Sequence, residues 1–317
     1  MKKLSIIMPI YNGEKFLEKS INSVLNQKFQ NFELICIIDG SNDSSLDIVK
    51  KYAHKDKRIV IIEQTNQGVS ATRNNGINIA NGDYITFIDQ DDYIDSKIYC
   101  EMLDKMEKEN SDISICGIEV VGNTNIIRNL NNIQEKYAFI NEGILIACVW
   151  NKIFRKDLIK KFDIKFLTGT QIGEDLDFAF RYILISKKIS YINEPFYKYV
   201  MHNDNNLFDK NKRISIYYCM KNSYEFIQKN FSKQHEEYSQ IMDAYNKLFN
   251  LHAIKYAFCA LPEKNRKEIG NKILQICSNI NLNKQTKSLL NKNIFLYKYP
   301  ILKKIYKFVV KGGKNDL

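Results

Sequence analysis

No stretch of this 317-residue chain supplies the roughly 20 uninterrupted apolar residues that a membrane-spanning helix requires. That absence excludes a helical integral membrane protein. C-x-x-C pairs are also missing: Cys36, Cys100, Cys116, Cys148, Cys219, Cys259 and Cys277 are scattered, several inside apolar runs. An odd count at such spacings fits free thiols in a reducing cytoplasm better than a disulfide framework or a zinc site. Internal repeats are absent. So is the glycine-rich N-terminal loop that would support a sugar nucleotidyltransferase. No RNA- or DNA-binding motif occurs and the basic residues are dispersed, so no nucleic-acid partner is expected. The formal net charge of +11 then points to smaller anions, nucleotide phosphates or anionic lipid.

What remains is an ordinary folded composition, 44% apolar and 26% charged, long enough for one large domain or two modest ones. Met1-Lys2-Lys3 followed by Leu4 to Ile10 has the outline of a leader peptide. Pro9, Asn12 and Gly13 cut its apolar run short and no small-residue cleavage site follows, so the segment is expected to be a first buried strand. Strand and helix patterns then alternate. Residues 14–26 read as a helix, 32–38 as a strand, 44–52 as a helix capped by Ser44 or Ser45, 58–63 as a strand, 70–80 as a helix and 84–88 as a strand. Alternation of this kind implies right-handed crossovers and a largely parallel sheet, whose ligands bind at the strands' carboxyl ends. A helix to about 109, a strand over 112–121, a helix over 174–187 and strands over 189–193 and 195–200 follow. Helical periodicity covers the rest from Arg213.

The most informative stretch is Asp83-Tyr-Ile-Thr-Phe-Ile-Asp-Gln-Asp-Asp92, a strand running into Asp89, Asp91 and Asp92. Crowded carboxylates raise one another's pKa, and a hard divalent cation relieves that cost while binding a substrate phosphate. The alternative is a plain acidic turn. Asp39, at another strand end, opens Asp39-Gly-Ser-Asn-Asp-Ser-Ser45, which is either a site for a base, ribose or anion or an ordinary capped turn. Arg73 lies on the helix after Gly68 and could bind diphosphate, orient an aspartate, or simply be solvated. Glu174-Asp175 follow a glycine-bearing loop and are either helix-dipole partners or hold a general base. His202, one of four histidines, follows a strand and is either a loop residue or a metal ligand.

Six segments in register resemble glycosyltransferase family 2, the inverting transferases of GT-A fold: residues 5–12, 38–43, 68–76, 87–92, Trp150-Asn151-Lys152 and Glu174-Asp175. The resemblance covers about residues 4–200. It implies an α/β fold: a Rossmann-like mixed, mostly parallel sheet flanked by helices, with a helical C-terminal extension. Residues 1–210 would be the transferase domain, with 1–110 its nucleotide-binding half and 111–210 its acceptor half, and 211–317 would be helical. It further implies a nucleotide-sugar donor, a UDP-sugar in most members. Pro9, Tyr11 and Asp39 would line the base and ribose pocket, Asp89 would face the ribose or sugar, and Arg73 would support the donor. Asp91, with His202, would hold Mn²⁺ or Mg²⁺ on the diphosphate. Asp175 would be the base, with Glu174 beside it. Trp150, Asn151 and Lys152 would shape the sugar and acceptor pocket.

The chain departs from the family pattern in two places. Gln90 on the donor side replaces a common serine, leaving the carboxylates intact, and no Q-x-x-R-W follows residue 175. Lacking that motif of processive synthases, the chain is expected to transfer single sugars to a glycan or lipid-linked acceptor in bacterial surface-glycan assembly. The rival is an inactive nucleotide-sugar-binding module, against which Asp89, Asp91 and Asp175 argue. Residues 293–310 interleave aromatics with lysines. They could dock on the cytoplasmic face of the inner membrane, where each lysine near anionic lipid adds roughly 1 kcal/mol, or pack as a terminal helix. The expected location is the cytoplasm.

Overall fold

The computed structural model describes residues 3–122, 126–128, 147–202 and 210–248. In chain order the elements are β1 (Leu4–Ile10), α1 (Leu17–Leu25), β2 (Phe32–Asp39), α2 (Ser45–Lys55), β3 (Ile59–Gln64), α3 (Val69–Ile79), β4 (Tyr84–Phe87), β5 (Tyr93–Ile94) and α4 (Ile98–Glu109). There follow β6 (Ile113–Val121), β7 (Ile126–Arg128), β8 (Lys152–Arg155), α5 (Lys156–Lys161), α6 (Glu174–Ile185), β9 (Ile189–Val200), α7 (Lys210–Asn230) and α8 (Tyr238–Leu248).

Among the described residues nine strands form one mixed sheet in the order β3-β2-β1-β4-β8-β6-β9-β5, with β7 on β6. Its N-terminal half, β3-β2-β1-β4, is wholly parallel. Every residue of β2 is buried, as a parallel strand covered on both faces must be. α1 turns Leu17, Ile21 and Val24 inward. α3 lies so close to the sheet that a Cβ on Gly76 would meet Ile7 Cγ2 at 2.4 Å. Gly76→Ala is therefore expected to destabilise the chain by about 1–3 kcal/mol through overpacking. Urea denaturation measures this, and an unchanged midpoint would refute the packing argument. Phe87, Phe154, Phe166 and Phe178 meet ring to ring and carry the core from β4 into the second half of the sheet.

The second half differs from expectation in three ways. β8 enters antiparallel between β4 and β6, a four-residue strand that sequence periodicity did not show. β5 precedes α4 and pairs with β9. The two strands expected over 189–193 and 195–200 are one. Cys116 pairs with Ile192 and Ile118 with Tyr197, so residues 193–196 bulge out opposite Gly117. Pro195, which cannot donate to a ladder, falls in that bulge rather than in a turn. The helical reading after Arg213 holds for α7 and α8, whose Phe226, Ile227, Ile241, Met242 and Tyr245 join the core. The proposed membrane-docking segment 293–310 lies outside the described residues. Among the described residues no helix is long and apolar enough to cross a membrane.

Candidate active site

The parallel register sets Asp39 at the carboxyl end of β2, and β4 ends on the same side, two residues before Asp89. Here the β1–α1 and β2–α2 loops zip together. Asn12 N donates to Ser41 Oγ at 3.1 Å, Gly13 N to Ser45 Oγ at 2.8 Å and Glu14 N to Asp43 Oδ2 at 3.0 Å. Ser45 is thus spent across the loops and Ser44 makes no side-chain cap. Asp43 Oδ1 takes the Ser45 amide instead, so the capping expected of the serines falls to Asp43. Gln90 clasps the Tyr11 backbone from both sides, accepting from its N–H at 2.9 Å and donating to its carbonyl at 3.0 Å. Tyr11 itself is exposed and Pro9 half-buried beside it.

Asp39 is buried, and its oxygens accept from Gln64 Nε2 (2.8 Å), Gln67 N (2.8 Å) and Gly68 N (2.9 Å). Its first task is therefore to fix the loop that launches α3. That helix delivers Arg73, and the solvated alternative for this residue is excluded. Its side chain is 4% exposed, with Nη2 donating to Asp89 Oδ1 at 2.9 Å and Nη1 to Asp175 Oδ1 at 2.5 Å, while Glu174 lies at 3.5 Å. One guanidinium thus ties the acidic run after β4 to the first turn of α6, about a hundred residues later. The three carboxylates hold Arg73 firmly protonated against the cost of its burial. Asp175 is pushed well above the usual carboxylate range, chiefly by burial and then by Glu174 and Asp89, with Arg73 and Lys152 opposing. That is the environment of a carboxylate tuned to take a proton.

Removing Arg73 leaves three carboxylates facing one another. Arg73→Met is expected to cost about 3–5 kcal/mol of stability at neutral pH. Without the guanidinium Asp175 loses the main charge that opposes its raised pKa, so its protonation relieves the repulsion and the variant's deficit shrinks as pH falls. Urea midpoints at pH 7.5 and pH 5 test this, and an equal deficit at both would contradict it.

The acidic run divides into three roles. Asp92 is the structural member: it is buried, accepts from Tyr197 Oη at 2.8 Å and Val200 N at 2.8 Å, and ties the run to β9. Burial, with Asp89 next, raises its pKa to about 8. Asp89 faces Arg73. Asp91 points away, its Oδ2 lying 3.0 Å from His202 Nε2, with the two side chains 31% and 33% exposed. The His202 ring rests on Phe16 at 4.7 Å between centroids, which fixes its approach. Burial and Asp89 raise the Asp91 pKa, with His202 opposing.

A carboxylate oxygen and an imidazole nitrogen converging at a half-open position fit a divalent cation that draws its other ligands from water and phosphate. Among the described residues no group of three or more His, Cys, Asp and Glu could hold a metal. An all-protein cage is therefore not what these residues form.

The Trp150-Asn151-Lys152 segment lies deeper than a pocket lining. Trp150 stacks on Tyr197 at 4.1 Å and Tyr199 at 5.5 Å. Asn151 and Lys152 have no exposed surface, and Lys152 Nζ donates to Cys148 O at 2.5 Å and to Asn151 Oδ1 at 2.7 Å. Burial lowers the Lys152 pKa. Both side chains lie beneath the surface, and the Lys152 charge acts on Asp175 from there. Sequence reasoning missed Tyr197, whose Oη bridges Asp89 N and Asp92, because it stands inside an aromatic strand with no polar signal.

The chain is similar in sequence and fold to known proteins. The family model for glycosyl transferase family 2 matches residues 5–163, half of the chain. The chain is 32% identical over 232 residues to the poly(ribitol-phosphate) beta-N-acetylglucosaminyltransferase TarP of Staphylococcus aureus, covering 71% of this chain and 69% of that one. It is 31% identical over 218 residues to the glycosyltransferase GlyA of Streptococcus pneumoniae, covering 62% of this chain and 30% of that one. Across three curated relatives that it matches, the chain spans 30–61% of their length. Among solved structures, S. aureus TarS 1-349 in complex with UDP-GlcNAc superposes with a TM-score of 0.66 at 21% identity, covering 83% of this chain and 82% of that one. The fold is shared, the acidic run and the Asp39 loop lie inside the matched segment, and the chain belongs to glycosyltransferase family 2.

Proposed function

We propose that this protein is an inverting glycosyltransferase that moves one sugar from a nucleotide sugar, a UDP-sugar, to a hydroxyl of a glycan or lipid-linked acceptor in bacterial surface-glycan assembly. The observation that carries the reading is the Arg73 bridge. It sets Asp175, a carboxylate of raised pKa, beside Asp89 at the carboxyl end of the parallel strands, where such sheets bind ligands. Relatives named as glycosyltransferases, two of them for poly(ribitol-phosphate), and a structural neighbour holding UDP-GlcNAc support the donor and acceptor classes.

The base and ribose would lie over Pro9, Tyr11 and the Asp39 loop, with Gln90 holding the Tyr11 backbone in place. Asp91 and His202 would hold Mn²⁺ or Mg²⁺ on the diphosphate, and a divalent ion there offsets negative charge on the departing group. Asp175 takes the proton of the acceptor hydroxyl. The freed oxygen attacks the anomeric carbon from the face opposite the diphosphate. The bond to the diphosphate oxygen breaks with its electron pair, UDP leaves and the configuration inverts. Arg73 keeps Asp175 oriented, and Glu174 beside it helps keep its basicity high. Cytoplasmic residence and contact of residues 293–310 with the membrane surface accompany this reading when the acceptor is lipid-linked.

Thermal stabilisation by UDP in the presence and absence of Mn²⁺ tests donor binding without knowledge of the acceptor. A Mn²⁺-dependent rise in Tm is expected. No shift with UDP, GDP or CDP at millimolar concentration would overturn the nucleotide-sugar assignment.

A further inference from the structure

α7 follows the last strand of the sheet and lies beyond the segment matched by the family model. Ser215, Cys219, Asn222, Ser223 and Phe226 recur along it at intervals that place them on one helical face. That face meets the turn carrying Glu174 and Asp175. Ser215 Oγ accepts from Gln171 N at 2.9 Å, and Cys219 Sγ approaches Ile172 O at 3.9 Å. Asn222 Nδ2 and Ser223 Oγ donate to the two oxygens of Asp177 at 2.8 and 2.5 Å. Asp177 has no exposed side-chain surface. It also receives Arg181 at 2.6 Å, and the Arg181 guanidinium reaches Lys165 O at 2.6 Å and lies over the Phe226 ring at 5.7 Å.

Two features separate this contact from ordinary helix packing. A buried ion pair with its hydrogen bonds adds little net stability over an apolar contact of the same volume, so stability alone does not account for the polar stripe. Directional hydrogen bonds do fix position, and these fall on residues 171, 172 and 177, at the start of α6. The backbone there needs fixing: Gly169 and Gly173 take φ of +76° and +91°, and glycine has more conformational freedom to lose on ordering than any other residue. Residues two apart on a helix point to nearly opposite sides. Arg73 therefore holds the turn by Asp175 on one side while α7 holds it by Asp177 on the other.

We propose that α7 is a positioning clamp for the base-bearing turn, and that Asn222 and Ser223, acting through Asp177, are positioning residues that set Asp175 for proton transfer. The proposal rests on the reading of Asp175 as the base. Asp175 is faced by Arg73 from α3, Asp89 after β4, Lys152 from β8 and Glu174 on its own helix. A slackened turn weakens the Arg73 contact first.

The test uses full-length protein and the UDP-sugar that wild type hydrolyses fastest among UDP-glucose, UDP-galactose, UDP-GlcNAc and UDP-GalNAc. In Asn222→Ala/Ser223→Ala, kcat is expected to fall about 10–100-fold, the scale of an ångström-level misplacement. KM and UDP affinity should stay within about twofold because the donor binds elsewhere, and the acidic limb of the pH profile should move upward as Arg73 loses its hold. Ser223→Thr, which keeps the hydroxyl, should restore most of the rate relative to Ser223→Ala. An unchanged kcat, or a loss matched by a loss of folded protein with the pH profile unmoved, would overturn the clamp. Asp175→Asn run in parallel separates the two ideas: if it turns over normally, the base assignment fails and the clamp with it. If Asp175→Asn is dead while the double variant behaves as wild type, only the clamp fails.

Discussion

Asp175→Asn is expected to lower sugar transfer about 10²–10⁴-fold, the usual contribution of a positioned general base. Asparagine keeps the shape of the side chain and can still lie against Arg73, but it cannot accept a proton. Donor binding should survive, since Asp39, Gln90 and Asp91 are held by other partners: the 64–68 segment, the Tyr11 backbone and His202. The pH profile sharpens the test. A base works as its carboxylate, so wild-type activity falls as pH drops through the Asp175 pKa. Burial, Glu174 and Asp89 put that fall above the ordinary carboxylate range. In Asp175→Asn the residual rate should lose this acidic limb. A variant with an unchanged rate, or one that keeps the limb, would move the base to another residue.

Asp91→Ala is expected to reduce turnover by roughly 10²–10³-fold or more, because a divalent ion on a leaving diphosphate contributes several kcal/mol of transition-state stabilisation. The substitution leaves His202 facing the position alone and removes the only carboxylate within 4 Å of that imidazole among the described residues. Mn²⁺ affinity, read directly by electron paramagnetic resonance in the presence of UDP, should weaken in step with the rate. The stability of the chain should change little, since Asp91 is nearly one-third exposed and makes no other ion pair among the described residues. Near-normal transfer by this variant in saturating Mn²⁺ would remove Asp91 from the metal-binding role. The neighbouring Asp92 gives the contrast: buried and bound to Tyr197 and Val200, it ties the acidic run to β9.

Much of the site was legible in the residues because its parts fall at strand ends, and strand ends are marked by where an apolar run meets acids. Asp39 and the run from Asp89 to Asp92 were found that way. Their partners were not legible. Arg73 could be placed on a helix near the site, but its grip on Asp175 joins residues 102 apart and no local pattern encodes that distance. Asp39 could be assigned a ligand-facing position, yet its hydrogen bonds to the 64–68 loop depend on backbone geometry. Lys152 enters the site only through the family resemblance, and its enclosure on β8 between β4 and β6 is visible only in the sheet. β8 went unread because four residues are too few for a periodicity. β9 was split because Pro195 gives the same signal in a bulge as in a turn. The polar face of α7 carries no sequence signal of its own: the partners of Ser215, Asn222 and Ser223 are residues 171 and 177, far away in the chain.

UDP release is the most direct readout of the proposed transfer. Full-length protein with Mn²⁺ and a panel of UDP-sugars should release UDP from one of them, the release should stop on chelation, and Asp175→Asn should lose most of it. Release from none of the panel by protein that binds UDP and Mn²⁺, or release at equal rates from wild type and Asp175→Asn, would contradict it.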